Sequence, residues 1–289
     1  MQRPRMEALK TREAVMHALF ALLLLAAGPA LAAEKYVGGN VDVRTVLAFK
    51  APDAAVLKFL PAGWEPDVAA TGPAKDINLR VTLIDRLTAH DAEGKALNPA
   101  RIVTLGIPAK KPGSETRGTM LFRIYSSSAS GVPGPYGVSV EANTSMERKV
   151  RIDSAGTATV EELWELRSQD GDSMQIEIHY LRGAMTTGKA EQLMYSAAKP
   201  DFYRIYRSEQ ATDVVRGGGV DRVGKIMFKA TGAKIAPLFD GSEQLISVTS
   251  NPGIRARPIF PARKSRSSSL RRNPSRRTLT AGGLRTACT

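Results

Sequence analysis

One carboxylate interrupts the apolar face of the strand predicted over residues 157–167. Period-two alternation places Glu162 on the same face as four apolar residues, Ala158, Val160, Trp164 and Leu166. A carboxyl group among apolar neighbours has a raised pKa and can act as a general acid or base, or contact a ligand. A β-bulge that turns Glu162 outward, or a salt bridge to a facing arginine, would instead make it structural.

Two arginines are the predicted partners of Glu162. Arg80 and Arg123 each lie on the more polar face of a predicted strand. A guanidinium group binds a carboxylate through two parallel hydrogen bonds. We therefore expect one arginine to hold the carboxylate of a small anionic or keto ligand while Glu162 handles a proton. The alternative is a structural ion pair.

Residues 118–150 are predicted to form the wall of a pocket. A strand over 119–125 is followed by a segment rich in glycine and proline, which cannot be helical, and extended chain resumes at 138. Backbone geometry therefore shapes this region. The further predicted ligand contacts all come from it: Tyr125, Tyr136, Ser139 and Glu141.

Several common chemistries are not supported by the residues present. The chain has one cysteine, Cys288, and three histidines, so a cysteine nucleophile or a metal site is not expected. Ser139 follows Gly137 but lacks the second glycine of a nucleophile elbow. The glycines at 217–219 lack the spacing of a dinucleotide-binding loop. The sequence predicts no metal and no cofactor.

Short alternating runs separated by turn residues dominate the chain. Strands are predicted at 41–50, 77–83, 101–107, 119–125, 148–152, 157–167, 174–181, 202–207, 223–230 and 244–249. Short helices are predicted near 53–60 and 189–198. This pattern favours a mainly β (α+β) fold, an antiparallel barrel or sandwich with one or two short helices.

Charge is concentrated at the two ends of the chain. The net charge is +13, yet residues 34–254 carry 27 lysines and arginines against 26 acidic residues. Such a balanced body lacks the basic surface that binds a phosphate backbone, so the folded domain is not expected to bind nucleic acid.

The N-terminal segment has the features of a secretory signal peptide. Four basic residues precede an apolar run at 18–27, and the small-residue site Ala30-Leu31-Ala32 follows. The run is about half the ~20 residues that a membrane-spanning helix needs, so no permanent anchor is expected. Residues 1–32 are therefore predicted to be removed, and the protein to be exported to the periplasm or secreted.

The predicted domain spans residues 33–254, and a basic tail follows at 255–289. The tail contains ten lysines and arginines and no acidic residue. Its composition cannot bury enough apolar area to order it, so disorder is predicted. It is either a binding arm for nucleic acid or anionic lipid, or a non-native end produced by read-through or a frame shift.

Two segments resemble the acetoacetate decarboxylase superfamily. The run at 53–64, DAAVLKFLPAGW, is similar to that family's early helix and leucine-proline turn. Residues 199–203, KPDFY, resemble its later entry into a strand. The resemblance covers most of residues 40–250. It implies a cone-like, mainly antiparallel β-barrel whose interior holds the active site, and a lyase-like activity on a small keto acid.

The family's catalysis depends on a lysine that forms a Schiff base with its substrate. Where the family's lysine pair would stand, this sequence has Ser139 and Val140, neither of which can form an imine. The nearest lysines are Lys110, Lys111 and Lys149, in polar surroundings. We therefore expect a barrel that binds a small carboxylate or keto compound without Schiff-base chemistry. The alternative is a non-catalytic exported protein with a filled barrel that acts through its surface.

Overall fold

The computed structural model describes residues 34–72, 74–129 and 132–260. The predicted signal peptide at 1–32, and the predicted tail from residue 261 onward, lie outside this part. The fold is mainly β, as predicted. The helical elements with defined bounds are α1 (Asp53–Leu57) and a 3₁₀ turn (Ala236–Leu238). In these ranges no helix has the length and apolar character needed to cross a membrane.

Seven strands close into a barrel. They are β2 (Gly39–Lys50), β4 (Leu79–His90), β6 (Ala100–Lys110), β7 (Arg117–Ser126), β11 (Thr186–Ser196), β12 (Tyr203–Gly217) and β15 (Gln244–Phe260). Their order is β7-β11-β12-β15-β2-β4-β6, and β6 pairs back with β7. All neighbours are antiparallel except β7 and β11. Closure pairs the edges that an open sheet would expose.

Four strands form a second sheet outside the barrel. In spatial order they are β8 (Ser139–Ile152), β9 (Ala158–Ser168), β10 (Ser173–Leu181) and β14 (Val223–Thr231), all antiparallel. The start of β8 pairs in parallel with the end of β7. Four two-residue strands extend the pairing: β1 (Lys35–Tyr36), β3 (Glu65–Pro66), β5 (Ala96–Leu97) and β13 (Val220–Asp221). The hairpins predicted over 148–181 are confirmed.

The main hydrophobic core lies between the barrel's outer surface and the second sheet; we call it the interlayer core. Alternate residues of the barrel strands, such as Leu47 and Leu83, face outward and are fully buried there. Trp164 and Ile178 approach them from the second sheet. Burying a large apolar side chain stabilises the fold by about 1.5–3 kcal/mol. Because this core lies outside the barrel, the interior is free to hold something other than packed side chains.

A β-bulge in β7 decides which of its residues face the interior. The pairing with β6 shifts at Phe122, because Leu121 and Arg123 pair with consecutive residues of β6. A bulge adds one residue to one strand and reverses the facing of the residues beyond it. Leu121 faces the interior before the bulge and Ile124 faces it afterwards. Arg123 and Tyr125 consequently face outward.

The helix predicted at 189–198 is wrong. Residues 186–196 form β11, which pairs antiparallel with β12 over ten positions and in parallel with β7. The run KAEQLM consists of residues with good helix propensity. Backbone pairing on both sides overrides that local preference, because each strand residue then satisfies its hydrogen bonds within the barrel.

The start of the predicted tail is also wrong. Strand β15 continues to Phe260 and pairs with β12 through Ile259. Ala256 and Ile259 are buried, whereas Arg255 and Arg257 alternate with them and are exposed. The arginines make the composition of this segment similar to that of the disordered tail predicted from the sequence. The alternation of buried and exposed residues, however, is that of a strand. The barrel domain therefore includes residues 255–260.

Candidate functional site: a cationic cavity in the barrel

A cavity of about 800 Å³ lies in the barrel interior. Inward-facing side chains of all seven barrel strands line it, together with Pro135 and Tyr136 from the segment between β7 and β8. Cavities that bind small molecules typically measure about 300–1,000 Å³. The alternative expectation of a filled barrel is therefore wrong, and the predicted pocket wall at 118–150 contributes to the lining.

The charged residues that line the cavity are mostly cationic. There are four arginines and one acidic residue: Arg44, Arg80, Arg86, Arg204 and Asp42. Arginine stays protonated at any physiological pH. Among described residues the lining thus has an excess of three positive charges, although the body of the chain is almost neutral.

Asp42 neutralises only one of these arginines. Its carboxylate accepts two hydrogen bonds from Arg44, at 2.7 Å from Nε and 2.8 Å from Nη2. The amide of Asn40 donates to the same carboxylate. Asp42 is 1% exposed, so the two-bond pair is held away from water. This pair is complete in itself and leaves the remaining arginines unbalanced.

Arg80 lines the cavity without a charge partner among described residues. It makes no hydrogen bond or ion pair with any residue that the structure describes. Its neighbours on the adjacent strands, Ala48 and Gly106, have no side-chain acceptor to offer. A Cβ atom at Gly106 would lie 2.5 Å from Thr119 Cγ2, so no larger residue fits there without a shift. Burial lowers the pKa of the Arg80 guanidinium below its ordinary value.

Arg204 and two tyrosines form a second polar group in the lining. The Nε of Arg204 is buried without a hydrogen-bond partner among described residues, and its guanidinium carbon lies 5.2 Å from the Phe260 ring centre. Tyr136 donates to the hydroxyl of Tyr206 at 3.4 Å. Burial, reinforced by Tyr206, raises the pKa of Tyr136 well above its ordinary value. Its phenol is therefore protonated at neutral pH and can donate a hydrogen bond.

Arg86 is only partly satisfied. Its Nη2 donates to the carbonyl oxygen of Asn98 at 3.0 Å, while its Nε is buried without a partner in the described ranges. Burial lowers its pKa, and the negative charge of Asp42 opposes that effect. Its Nη1 makes no hydrogen bond with a described residue, so Arg86 has donor capacity left for a ligand.

The structure brings three of the predicted site residues into the cavity and separates the others from it. Arg80, Tyr136 and Ser139 line the interior. Glu141 instead lines a separate surface pocket of about 420 Å³ and accepts a hydrogen bond from Gln169. Arg86 and Arg204 were missed. The pattern Arg204-x-Tyr206 in a predicted strand was a usable signal for Arg204, whereas the predicted strand 77–83 ended too early to include Arg86.

Arg123 and Tyr125 face away from the cavity because of the bulge at Phe122. Arg123 Nη2 donates to Asp170 and, at 2.7 Å, to Asp172. The Tyr125 hydroxyl donates to the same Asp172 oxygen at 2.8 Å. Their expected role as cavity contacts is therefore corrected: they join β7 to the turn between β9 and β10.

Glu162 is buried as its strand phase predicted, but in the interlayer core and not in the cavity. Thr45 Oγ1 lies 3.0 Å from both carboxylate oxygens, and Trp164 Nε1 donates at 3.2 Å. Arg148 Nε lies 3.2 Å away and supplies the balancing charge. The expected pairing with Arg80 or Arg123 is corrected, and these contacts match the structural salt bridge that the sequence left open.

The lysines considered for imine chemistry lie elsewhere. Lys110 is near Glu65 at 3.5 Å, Lys149 is near Glu147 at 2.9 Å, and Lys111 lies over the Trp64 ring. Among the described residues that line the cavity there is no lysine. Ser139, at the position where the resemblance would place a lysine, does line it. The described part of the chain also has no cluster of three or more histidine, cysteine or acidic residues suited to a metal ion.

Fold and site together define a mainly β protein with a closed barrel and a cationic interior cavity. No protein-family model matches the chain, and no curated protein sequence does. Among solved structures it is similar to the enduracididine biosynthesis enzyme MppR complexed with the condensation product of pyruvate and imidazole 4-carboxaldehyde. The identity is 10% over 82% of this chain and 92% of that chain, with a TM-score of 0.49.

Two decarboxylase-type structures are similar to the same extent. An acetoacetate decarboxylase-like enzyme from Sphingomonas wittichii RW1 shares 10% identity over 82% of this chain and 95% of its own, with a TM-score of 0.46. Acetoacetate decarboxylase from Legionella pneumophila shares 11% over 79% and 87%, with a TM-score of 0.45. These proteins are of the kind that the sequence patterns resemble. No residue role transfers at such identities, and the site rests on its own geometry.

Proposed function

We propose that this chain binds a small carboxylate or keto compound non-covalently in its barrel cavity. The observation that carries the proposal is Arg80, a half-buried arginine that lines the cavity without a hydrogen bond or ion pair to any described residue. Partial removal of a charge from water without a partner is unfavourable. A carboxylate ligand would supply the missing negative charge and accept two hydrogen bonds.

Neutral donors in the lining suit the rest of such a ligand. Tyr206, whose hydroxyl accepts a hydrogen bond from Tyr136, and Ser139 line the same cavity as Arg80, and each has a hydroxyl hydrogen left to donate. A keto oxygen accepts hydrogen bonds but cannot donate them, so protonated phenol and alcohol groups are suitable partners. The apolar residues of the lining, such as Ile84 and Leu121, would contact the carbon skeleton.

The proposed binding does not involve an imine. Schiff-base formation requires an amine beside the bound carbonyl group, and the described lining offers guanidinium and hydroxyl groups instead. Guanidinium groups remain protonated and are not nucleophiles. Arginine here orients a ligand by charge and geometry and does not react with it.

Calorimetric titration with pyruvate and acetoacetate tests the proposal. We expect the unmodified protein to bind at least one of them, and Arg80→Met to weaken that binding tenfold or more, since a charge-assisted hydrogen bond contributes about 1.5–3 kcal/mol. Arg255→Met is the matched control, because it removes the same charge from the exposed barrel surface. Equal affinity in Arg80→Met, or no binding of either acid, would reject the proposal.

We also propose that the protein acts outside the cytoplasm. The support is the apolar run and the Ala30-Leu31-Ala32 site in the sequence. N-terminal sequencing of the protein purified from its native source should give Ala33 as the first residue. A soluble cytoplasmic pool that retains Met1 would contradict export.

A further inference from the structure

The cationic groups of the cavity lie at two separate places along the barrel. Arg80 is the second residue of β4, and Arg86 faces the same cavity six residues further along that strand. At ~3.3 Å per residue their Cα atoms are roughly 20 Å apart. Side chains that stand roughly perpendicular to the strand hold the two guanidinium groups apart, so a single carboxylate is not expected to bind both.

Arg204 belongs to the same end as Arg86. Strand β12 runs antiparallel to β15, β15 to β2, and β2 to β4, so β12 begins at the barrel end where β4 finishes. Arg204 is the second residue of β12. Both Arg86 and Arg204 have a buried Nε without a partner in the described ranges. Two guanidinium groups without an ion pair to any described residue therefore lie toward this end, and Arg80 lies toward the other.

The lining between the two ends carries no unbalanced charge, because Arg44, which pairs with Ile84 from β2, is neutralised by Asp42. The inward positions of β4 between its two arginines are Thr82 and Ile84, and their partners on β6 are Thr104 and Ile102. On β2, Val46 pairs with Thr82. The cavity thus has a cationic group toward each end and a neutral, partly apolar middle.

We propose that the ligand carries two anionic groups joined by an uncharged spacer, as in an α,ω-dicarboxylate. This inference rests on the proposed function, which concerns one carboxylate at Arg80. The second carboxylate is bound by Arg204 together with Arg86, and the spacer lies along the threonine and isoleucine band. With three arginines in excess, one monoanion would leave the cavity with net positive charge, whereas a dianion reduces that charge further.

Calorimetry with a chain-length series tests the second anion site. The probes are succinate, adipate, suberate and sebacate, each compared with the monocarboxylate of the same carbon number. We expect one dicarboxylate to bind at least tenfold more tightly than its monocarboxylate. Arg80→Met and Arg204→Met should each remove tenfold or more of that affinity. Arg204→Gln serves as a second variant in case loss of the contact with Phe260 impairs folding, and Arg255→Met is again the control.

The outcomes distinguish the second anion site from the proposed function, which is the binding of one carboxylate at Arg80. Monocarboxylates that bind as tightly as dicarboxylates, with affinity that depends on Arg80 alone, would overturn the second anion site and leave the proposed function standing. The same holds if a dicarboxylate binds equally well to folded Arg204→Met and to the unmodified protein. If neither class of acid binds, both proposals are rejected.

Discussion

The interlayer core and the barrel interior both contain charged side chains, but the two regions differ in how these charges are paired. In the interlayer core Glu162 lies 3.2 Å from Arg148, which also approaches Asp85 at 3.6 Å. In the barrel interior Arg80 has no such partner among described residues. The first region pairs its charges with one another, although Arg148 Nη2 is buried without a hydrogen-bond partner in the described ranges, and the second leaves cations facing a cavity without a charge partner. A paired buried charge is explained by the fold, whereas an unpaired one calls for a ligand.

Apolar packing follows the same division. Trp164, at 1% exposure, is among the largest fully buried side chains and lies in the interlayer core. The barrel interior instead encloses about 800 Å³ of space. Stability should therefore depend on the interlayer core and ligand binding on the interior. The following predictions test that separation, from the largest expected effect to the smallest.

Trp164→Ala should cause the largest loss of stability. Truncating a buried tryptophan typically costs about 3–5 kcal/mol, and this change also removes the hydrogen bond to Glu162. Urea denaturation should show the loss as a lower midpoint. Tyr206→Ala, which removes a half-buried ring from the cavity lining, is the comparison and should cost less than half as much. Equal losses would mean that the interior also packs as a core.

Glu162→Gln should destabilise the fold by about 2–3 kcal/mol. The substitution keeps the shape of the side chain but leaves Arg148 without its closest charge partner. Arg148 also lies near Asp85, and its side chain is 17% exposed. The loss of stability should therefore be smaller than for a fully buried ion pair without other partners. Chemical denaturation measures it. A loss under 0.5 kcal/mol would show that the interlayer pair is dispensable.

Alkaline pH should weaken the interlayer core. Burial, followed by the charge of Glu162, raises the pKa of Tyr180 to about 12 from an ordinary value of 10. The folded state favours the protonated phenol, so this contribution is complete below pH 10 and is lost as pH rises through 12. We expect Tyr180 to contribute about 2 kcal/mol to the decline across that window, so Tyr180→Phe should decline by about that much less than the unmodified protein. Tyr36→Phe, at an exposed ring, should decline like the unmodified protein.

No lysine adduct should form when the protein is incubated with acetoacetate and borohydride. Intact-mass measurement should show the unmodified mass, since the described cavity lining contains no lysine. A stoichiometric adduct that localises to one lysine would contradict non-covalent binding.

Arg80→Met should change stability least. It removes a charge that the described residues do not balance, so the free energy of unfolding should stay within about 1 kcal/mol or rise. Denaturation beside Glu162→Gln compares one charge removed from each region. A loss equal to that of Glu162→Gln would show that Arg80 has a structural partner.

Much of the fold could be predicted because alternation is a local property of a strand. The hairpins over 148–181 and the buried face of Glu162 followed directly from it. Residues 186–196 could not be assigned, since their helix propensity is overridden by pairing with strands distant in sequence. Residues 255–260 were hidden by outward arginines on a paired strand.

The site was harder to predict. Alternation shows which residues share one face of a strand, but it does not show which part of the fold that face packs against. Glu162 was correctly placed on an apolar face, but only the folded chain shows that this face meets the barrel's exterior. Arg123 left the site because of a register shift set by the pairing of β7 with β6. Arg80 lies on β4, whose pairing with β6 has no register shift. Its inward position therefore follows from period-two alternation along the strand.

The most direct test of the account is ligand-dependent stabilisation in three proteins: unmodified, Arg80→Met and Glu162→Gln. The probe is the tightest-binding acid from calorimetry, at about 100 times its Kd, where binding to the folded state adds about 2.7 kcal/mol. The account predicts this increment in the unmodified protein and in Glu162→Gln, despite the latter's lower baseline, and little increment in Arg80→Met. A full increment in Arg80→Met, or its loss in Glu162→Gln, would contradict the claim that the barrel interior is the anion site.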